Sequence, residues 1–160
     1  MTKEPVHLKY LPPLGTHPSP EDPCLSDDGR KLDLKVIFTD LPRTAAALTT
    51  ARNMARGLRA RITLMVAQVV PYPLPLADPP VPLEFTRRLI EPMAEDADTA
   101  VEILLCRDRY ETIRRALPPD SVVIVGAPKW RWWPSCWFAW ERSLARMLRH
   151  DGRRVLVVTI

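Results

Sequence analysis

The sequence is poor in the residues that usually announce chemistry. Its 160 residues include three cysteines and three histidines. Cys24, Cys106 and Cys136 lie far apart with no CxxC spacing, which argues against a disulfide framework and fits a reducing compartment. His7 and His17 fall in the N-terminal stretch, and His150 ends the last expected helix, where a cation favours the dipole. There is no HExxH, no GxSxG, no P-loop GKS or GKT, and no GxGxxG after a strand. No catalytic constellation can be assembled, so no enzyme is expected. No run reaches the roughly 18 apolar residues that span a bilayer. Residues 1–11 lack the continuous apolar core of a secretory signal, so a cytoplasmic location is expected. The acidic cluster at residues 95–98 reads as a solvated helix end.

What is present is uneven. Six of the 18 prolines lie before Asp33, and another six lie between Pro71 and Pro82. Residues 1–33 therefore read as an extended or disordered arm, pinned at most by Tyr10 and Leu11, with a polyproline docking segment as the sharper alternative. The net charge is +4; residues 1–33 hold four basic and six acidic side chains, leaving 19 basic against 13 acidic in the rest. A surplus of that size suits phosphate-bearing partners but is common on solvated helical faces.

Beyond the arm, β and α signals alternate. Residues 34–39 form an apolar run ending at Asp40, and Pro42 suits the first turn of a helix over residues 44–59, with Leu48, Ala51, Ala55 and Leu58 inward. Residues 61–70 read as the second strand and residues 83–97 as a second helix, with Leu89, Ile90, Met93 and Ala97 inward and a break expected at Pro92. A third strand at residues 101–106 precedes a short helix marked by Tyr110, Ile113 and Leu117. A fourth strand at residues 121–125 precedes a helix over residues 135–150, with Trp137, Trp140, Leu144, Met147 and Leu148 on one side. Gly152 suits the position after that helix, and residues 155–160 form the fifth strand. This pattern predicts an α/β domain over residues 34–160, a three-layer five-stranded parallel sheet with helices on both faces. Ligands then bind beyond the carboxyl ends of the strands: Thr39 and Asp40, residues 67–70, 106–108 and 126–129.

The order of these landmarks resembles the universal stress protein family, within the adenine nucleotide alpha hydrolase-like architecture. Val36-Ile37-Phe38-Thr39-Asp40 resembles its first strand with a ligand-side Asp. Residues 120–126, ending in Gly126, resemble its fourth strand running into a phosphate loop. Residues 143–150 and 155–158 resemble its last helix and strand. Nucleotide-binding members carry glycine, two residues, glycine, nine residues, then glycine with Ser or Thr, so that backbone amides reach the phosphates. Here Gly126 and Ser143 are kept, but Lys129 and Arg142 replace the second and third glycines, with 12 residues between them. The resemblance thus implies a candidate nucleotide site of Thr39, Asp40, Ala67, Gly126, Lys129, Arg142 and Ser143, with the backbone cradle blocked. Lys129, Arg131 and Arg142 could instead bind phosphate through side chains. Asp40 reads equally as a ribose or base contact and as a helix cap.

All five tryptophans fall within residues 130–140. Trp137 and Trp140 suit the inward face of the last helix. Trp130, Trp132 and Trp133 have four possible uses: filling the vacated pocket, a partner interface, a membrane-interface contact beside Arg131, or base stacking. No motif of a nucleic-acid-binding module is present, and nucleic acid is not an expected partner. Trp132-Trp133-Pro134 also resembles an element of stress-protein-like domains attached to some transporters. Cys136, near Arg131 and a helix start, is a possible low-pKa thiol, and Cys106 a buried small hydrophobe.

The resulting expectation is a non-catalytic stress-response or regulatory module with no cofactor. It would act as a homodimer through the last strand, including Val155 and Val157, or through a protein partner at the Trp-rich loop. ATP binding with a remodelled loop and a membrane-peripheral role are the alternatives.

Overall fold

The computed structural model describes residues 7–10, 32–76, 83–94, 99–129 and 140–160. Its strands are β1 (His7–Tyr10), β2 (Asp33–Ile37), β3 (Arg61–Val69), β4 (Thr99–Cys106), β5 (Val122–Ala127) and β6 (Arg154–Thr159). Its helices are α1 (Leu41–Leu58), α2 (Leu83–Ile90), α3 (Arg109–Ala116) and α4 (Trp140–His150). The strands form one parallel sheet in the order β1-β4-β3-β2-β5-β6. The five expected strands are all there. A sixth comes from the N-terminal stretch: His7–Tyr10 pairs with Glu102–Leu105 of β4. The rest of the expected arm, residues 1–6 and 11–31, lies outside the described residues.

Two hydrophobic clusters sandwich the sheet. On one face Leu34, Val36, Ile62, Leu64, Val66, Ile103 and Ile124 meet Ala47, Leu48 and Ala51 of α1 and Ile90 of α2. On the other, Ile37, Met65, Leu104, Val123 and Val125 meet Ile113 of α3 and Leu144 and Leu148 of α4. β2, β3, β4 and β5 each feed both faces, which is why they read as largely apolar runs. Full burial of one such Leu or Ile contributes about 1.5–3 kcal/mol, and truncating Leu64, fully buried at the sheet centre, to Ala would cost about 2–5 kcal/mol.

The helix ends follow local chemistry. α1 starts three residues earlier than its apolar spacing indicates, because Asp40 is an extended N-cap and Pro42 occupies the first turn. Leu58, expected inward, is 53% exposed on the last turn of α1, which ends at Arg59 in the left-handed region (φ 50°). α2 stops at Ile90 and tightens into a 3-10 turn over Glu91–Ala94, which contains Pro92. Arg52 of α1 donates to the Met93 carbonyl of that turn at 2.8 Å. Residues 95–98, with the acidic cluster and Ala97, lie outside the described residues. Gly152 follows α4 with φ 79°, a conformation that favours glycine. Among the described residues no helix is long and apolar enough to cross a membrane.

Candidate functional site

All six strands are parallel, so their carboxyl ends share one edge of the sheet. The chain runs outward from β2 through β3 to β4, then returns to the other side of β2 as β5. The order therefore reverses between β2 and β5, and the crevice at their carboxyl ends is where such sheets bind ligands. The turns after these strands hold Thr39 and Asp40 on one side and Gly126 to Lys129 on the other. Both turns are among the four strand ends expected from sequence to face a ligand.

The crevice is crossed by charges. Asp40 caps α1: its Oδ1 accepts from the Arg43 amide at 2.9 Å. Its Oδ2 pairs with the Arg43 guanidinium at 2.9 Å. The same guanidinium nitrogen donates to Oε1 of Glu141 at 3.0 Å. Glu141 lies in the first turn of α4 and is only 3% exposed. Arg43 thus ties the first helix to the last across 98 positions of sequence. Neither Arg43 nor Glu141 was singled out from sequence, since an acid or a base in a helical first turn is unremarkable alone. Of the two readings of Asp40, the helix cap is the contact seen. Two buried atoms at this crevice have no hydrogen-bond partner: Oγ1 of Thr39 and Oε2 of Glu141.

Gly126 is needed for packing. A Cβ there would lie 2.4 Å from the Arg43 carbonyl oxygen and 2.7 Å from its carbon. The first turn of α1 rests directly on β5 at this glycine. Beyond it, Pro128 has no amide hydrogen, and the Lys129 amide donates to the Ile160 carbonyl at 2.7 Å. The Lys129 side chain is exposed. Arg142 sends its guanidinium to the Pro128 carbonyl at 3.1 Å. Ser143 is exposed on α4, and Ala67 is half-buried against the α3–α4 cluster.

Towards β3 and β4 the same edge is closed by arginine and aromatic groups. Arg107 donates to the carbonyls of Val70 and Leu74 and lies over the Tyr72 ring at 5.1 Å. Arg109 sits 4.8 Å from the Trp140 ring, and Tyr110 meets that ring edge-on with centroids 6.3 Å apart. Trp140 therefore links α3 to α4 and is half-buried. Cys106 is 2% exposed, and burial raises its thiol pKa above the ordinary value, as expected of a small hydrophobe and not of a reactive thiol. Trp130, Arg131, Trp132, Trp133, Cys136 and Trp137 lie outside the described residues. Val155 and Val157 lie on β6 and are half-buried, Val155 packing against the α3–α4 cluster.

One further ionic cluster lies away from this edge. Lys35 of β2 is 8% exposed; its ammonium lies 3.0 Å from Asp33, 4.0 Å from Glu102 and 3.2 Å from the Thr63 hydroxyl. Among the described residues no group of three or more His, Cys, Asp or Glu side chains is placed to hold a metal.

No protein-family model matches the sequence, and no curated protein matches it. Solved structures do. A protein from the universal stress protein family of Burkholderia pseudomallei superposes with a TM-score of 0.55 at 19% identity, over 79% of this chain and 94% of that one. The universal stress protein UspA from Lactobacillus plantarum gives 0.55 at 16% identity, over 82% of this chain and 99% of that one. The chain has the α/β fold of the universal stress proteins.

Proposed function

We propose that the chain is a non-catalytic stress-response or regulatory module of the universal stress protein type, cytoplasmic, whose ATP site has been lost or remodelled and which acts through dimerisation or partner binding. One observation carries the reading of the site. In the turn where a glycine loop would present amides to phosphate, Pro128 has none and the Lys129 amide is already bonded to Ile160. The Arg43 guanidinium is held between two carboxylates and is not available as an anion clamp. β6 forms one end of the sheet with Leu156 39% exposed, which suits pairing with a second copy. The segment with Trp130, Trp132 and Trp133 supplies the type of side chain that anchors a protein partner.

Calorimetric titration with ATP and Mg²⁺ tests the site. No binding in the micromolar range is expected; micromolar affinity that disappears in Asp40→Ala would overturn the reading. Light scattering at micromolar concentration tests the dimer, and a monomer throughout removes it. A second reading, an adenine-nucleotide site built from side chains, draws support from the unpartnered Thr39 hydroxyl and Glu141 oxygen, which a ligand hydroxyl or amine would satisfy. The same titration decides between the two.

A further inference from the structure

The two ends of the sheet are built differently. Every residue of β6 is exposed or half-buried, as in an outermost strand. β4 would be the other outermost strand if β1 were absent, yet it is built as an interior one. Val101, Ile103, Leu104, Leu105 and Cys106 are all at most 4% exposed. Natural edge strands are short, charged or bulged to prevent pairing with other chains. β4 has eight residues and one charged side chain, Glu102. What covers it is β1, pairing His7 with Glu102, Leu8 with Ile103, Lys9 with Leu104 and Tyr10 with Leu105. Four of eight β4 residues are covered.

The Burkholderia structure matches nearly its whole length to only 79% of this chain, so about a fifth of the chain has no counterpart there. The connection is also generous. Tyr10 is level with Gln68 through the β4 register, and Asp33 is level with Arg61. Seven residues of strand rise and three strand spacings put the two ends about 27 Å apart. The 23 peptide steps from Tyr10 to Asp33 reach up to about 80 Å. Nothing in chain length forces β1 onto β4, so its place there reflects the pairing itself.

We propose that His7–Tyr10 is an intramolecular edge cap. It occupies the position on β4 that a second copy of the chain would otherwise take, and so restricts sheet-edge association to β6. Without it, both ends of the sheet accept strands, and a β6 dimer can propagate into open assemblies. The part concerning β6 rests on the dimer reading above; the cap on β4 does not.

The test compares the full-length chain with Leu8→Pro/Lys9→Pro. Adjacent residues of a strand point their amides to opposite sides, so this pair removes one donor to β4 wherever the register places it. Two readouts are taken: hydrogen exchange at Glu102–Leu105, and mass by light scattering over a concentration series. About half of those four amides should exchange at least about tenfold faster, and the mass should rise beyond a dimer with concentration. A synthetic peptide of residues 1–12 added in trans should bring the mass back down. Unchanged exchange overturns the proposal, and so does faster exchange with unchanged mass. Should the double variant fail to fold, His7→Cys/Glu102→Cys, in a background with Cys24, Cys106 and Cys136 replaced by Ser or Ala, decides: an intrachain disulfide is expected, and none, or one joining two chains, refutes the cap. A wild-type chain that is monomeric at every concentration removes the β6 dimer; the exchange and disulfide outcomes then stand as written, and the variant's mass is expected to rise from that of a monomer to that of a dimer.

Discussion

Three glycines to alanine, compared in one experiment, separate packing from backbone strain and from mere flexibility. At Gly126 the added methyl would sit 2.4 Å from the Arg43 carbonyl oxygen and 2.8 Å from its Cβ. Both are anchored parts of a capped helix, so α1 must lift off β5 and carry the Asp40–Arg43–Glu141 contacts with it. Overpacking of this kind costs about 1–3 kcal/mol and occasionally more; backbone as the obstacle places Gly126→Ala at about 3 kcal/mol. For a chain of this size each kcal/mol moves Tm by about 2–4 °C, so a fall of about 6–12 °C is expected. Gly57 lies within α1 with nothing inside 4 Å of a new Cβ, and Gly57→Ala should gain about 0.5–1 kcal/mol through helix propensity. Gly152 also has open space, but its φ of 79° makes Gly152→Ala lose about 1 kcal/mol. Urea and thermal unfolding without nucleotide read all three. If Gly126→Ala unfolds like the wild type, the contact between α1 and β5 is not what fixes this glycine, and a role toward a ligand regains its place.

Other outcomes follow from the same contacts. Glu141→Ala removes the buried partner of Arg43, which keeps Asp40; a loss of about 2 kcal/mol is expected by urea unfolding, below the full cost of breaking a buried pair, and Arg43→Met/Glu141→Leu should recover most of it. Asp108→Ala should cost about 1 kcal/mol in the same assay, since its carboxylate caps the Glu111 amide of α3. Because burial raises the Cys106 pKa, the native thiol stays protonated where an unfolded one ionises. Stability should therefore fall as pH rises through the ordinary thiol range, by an amount abolished in Cys106→Ala, and alkylation of native Cys106 should stay slow there. Lys35→Ala should destabilise more than Lys35→Met, which keeps the apolar stem while removing the same ionic contacts, and the difference is read by thermal unfolding.

Much of the scaffold could be read from sequence because both faces of its strands are buried. Runs such as residues 61–70 and 121–125 have no reason to be continuously apolar otherwise, and prolines at 42 and 92 marked a helix start and a helix break. The strand ends were legible too, but the strand order that puts Asp40 and Gly126 side by side was not. Nor were the contents of the crevice. The contact between Arg43 and Glu141 spans 98 residues and has no local signature. Gly126 was read as the first glycine of a phosphate loop, whereas the geometry gives it a packing role that spacing does not reveal. His7–Tyr10 is four residues of ordinary polarity, and what makes it a strand is an edge that exists only once β4 is in place.

Four arginines bear on how the positive charge is used. Arg52, Arg107, Arg142 and Arg149 each donate to a main-chain carbonyl of another element or turn. A guanidinium engaged this way is mortar between elements. A neutral carbonyl does not cancel the charge, so the formal surplus of +4 is unchanged, but these four guanidinium groups are also fixed in place by the bonds they donate. Charge-preserving exchange to lysine would not be neutral at these four positions, because a compact ammonium cannot reproduce the reach and fork of the group it replaces.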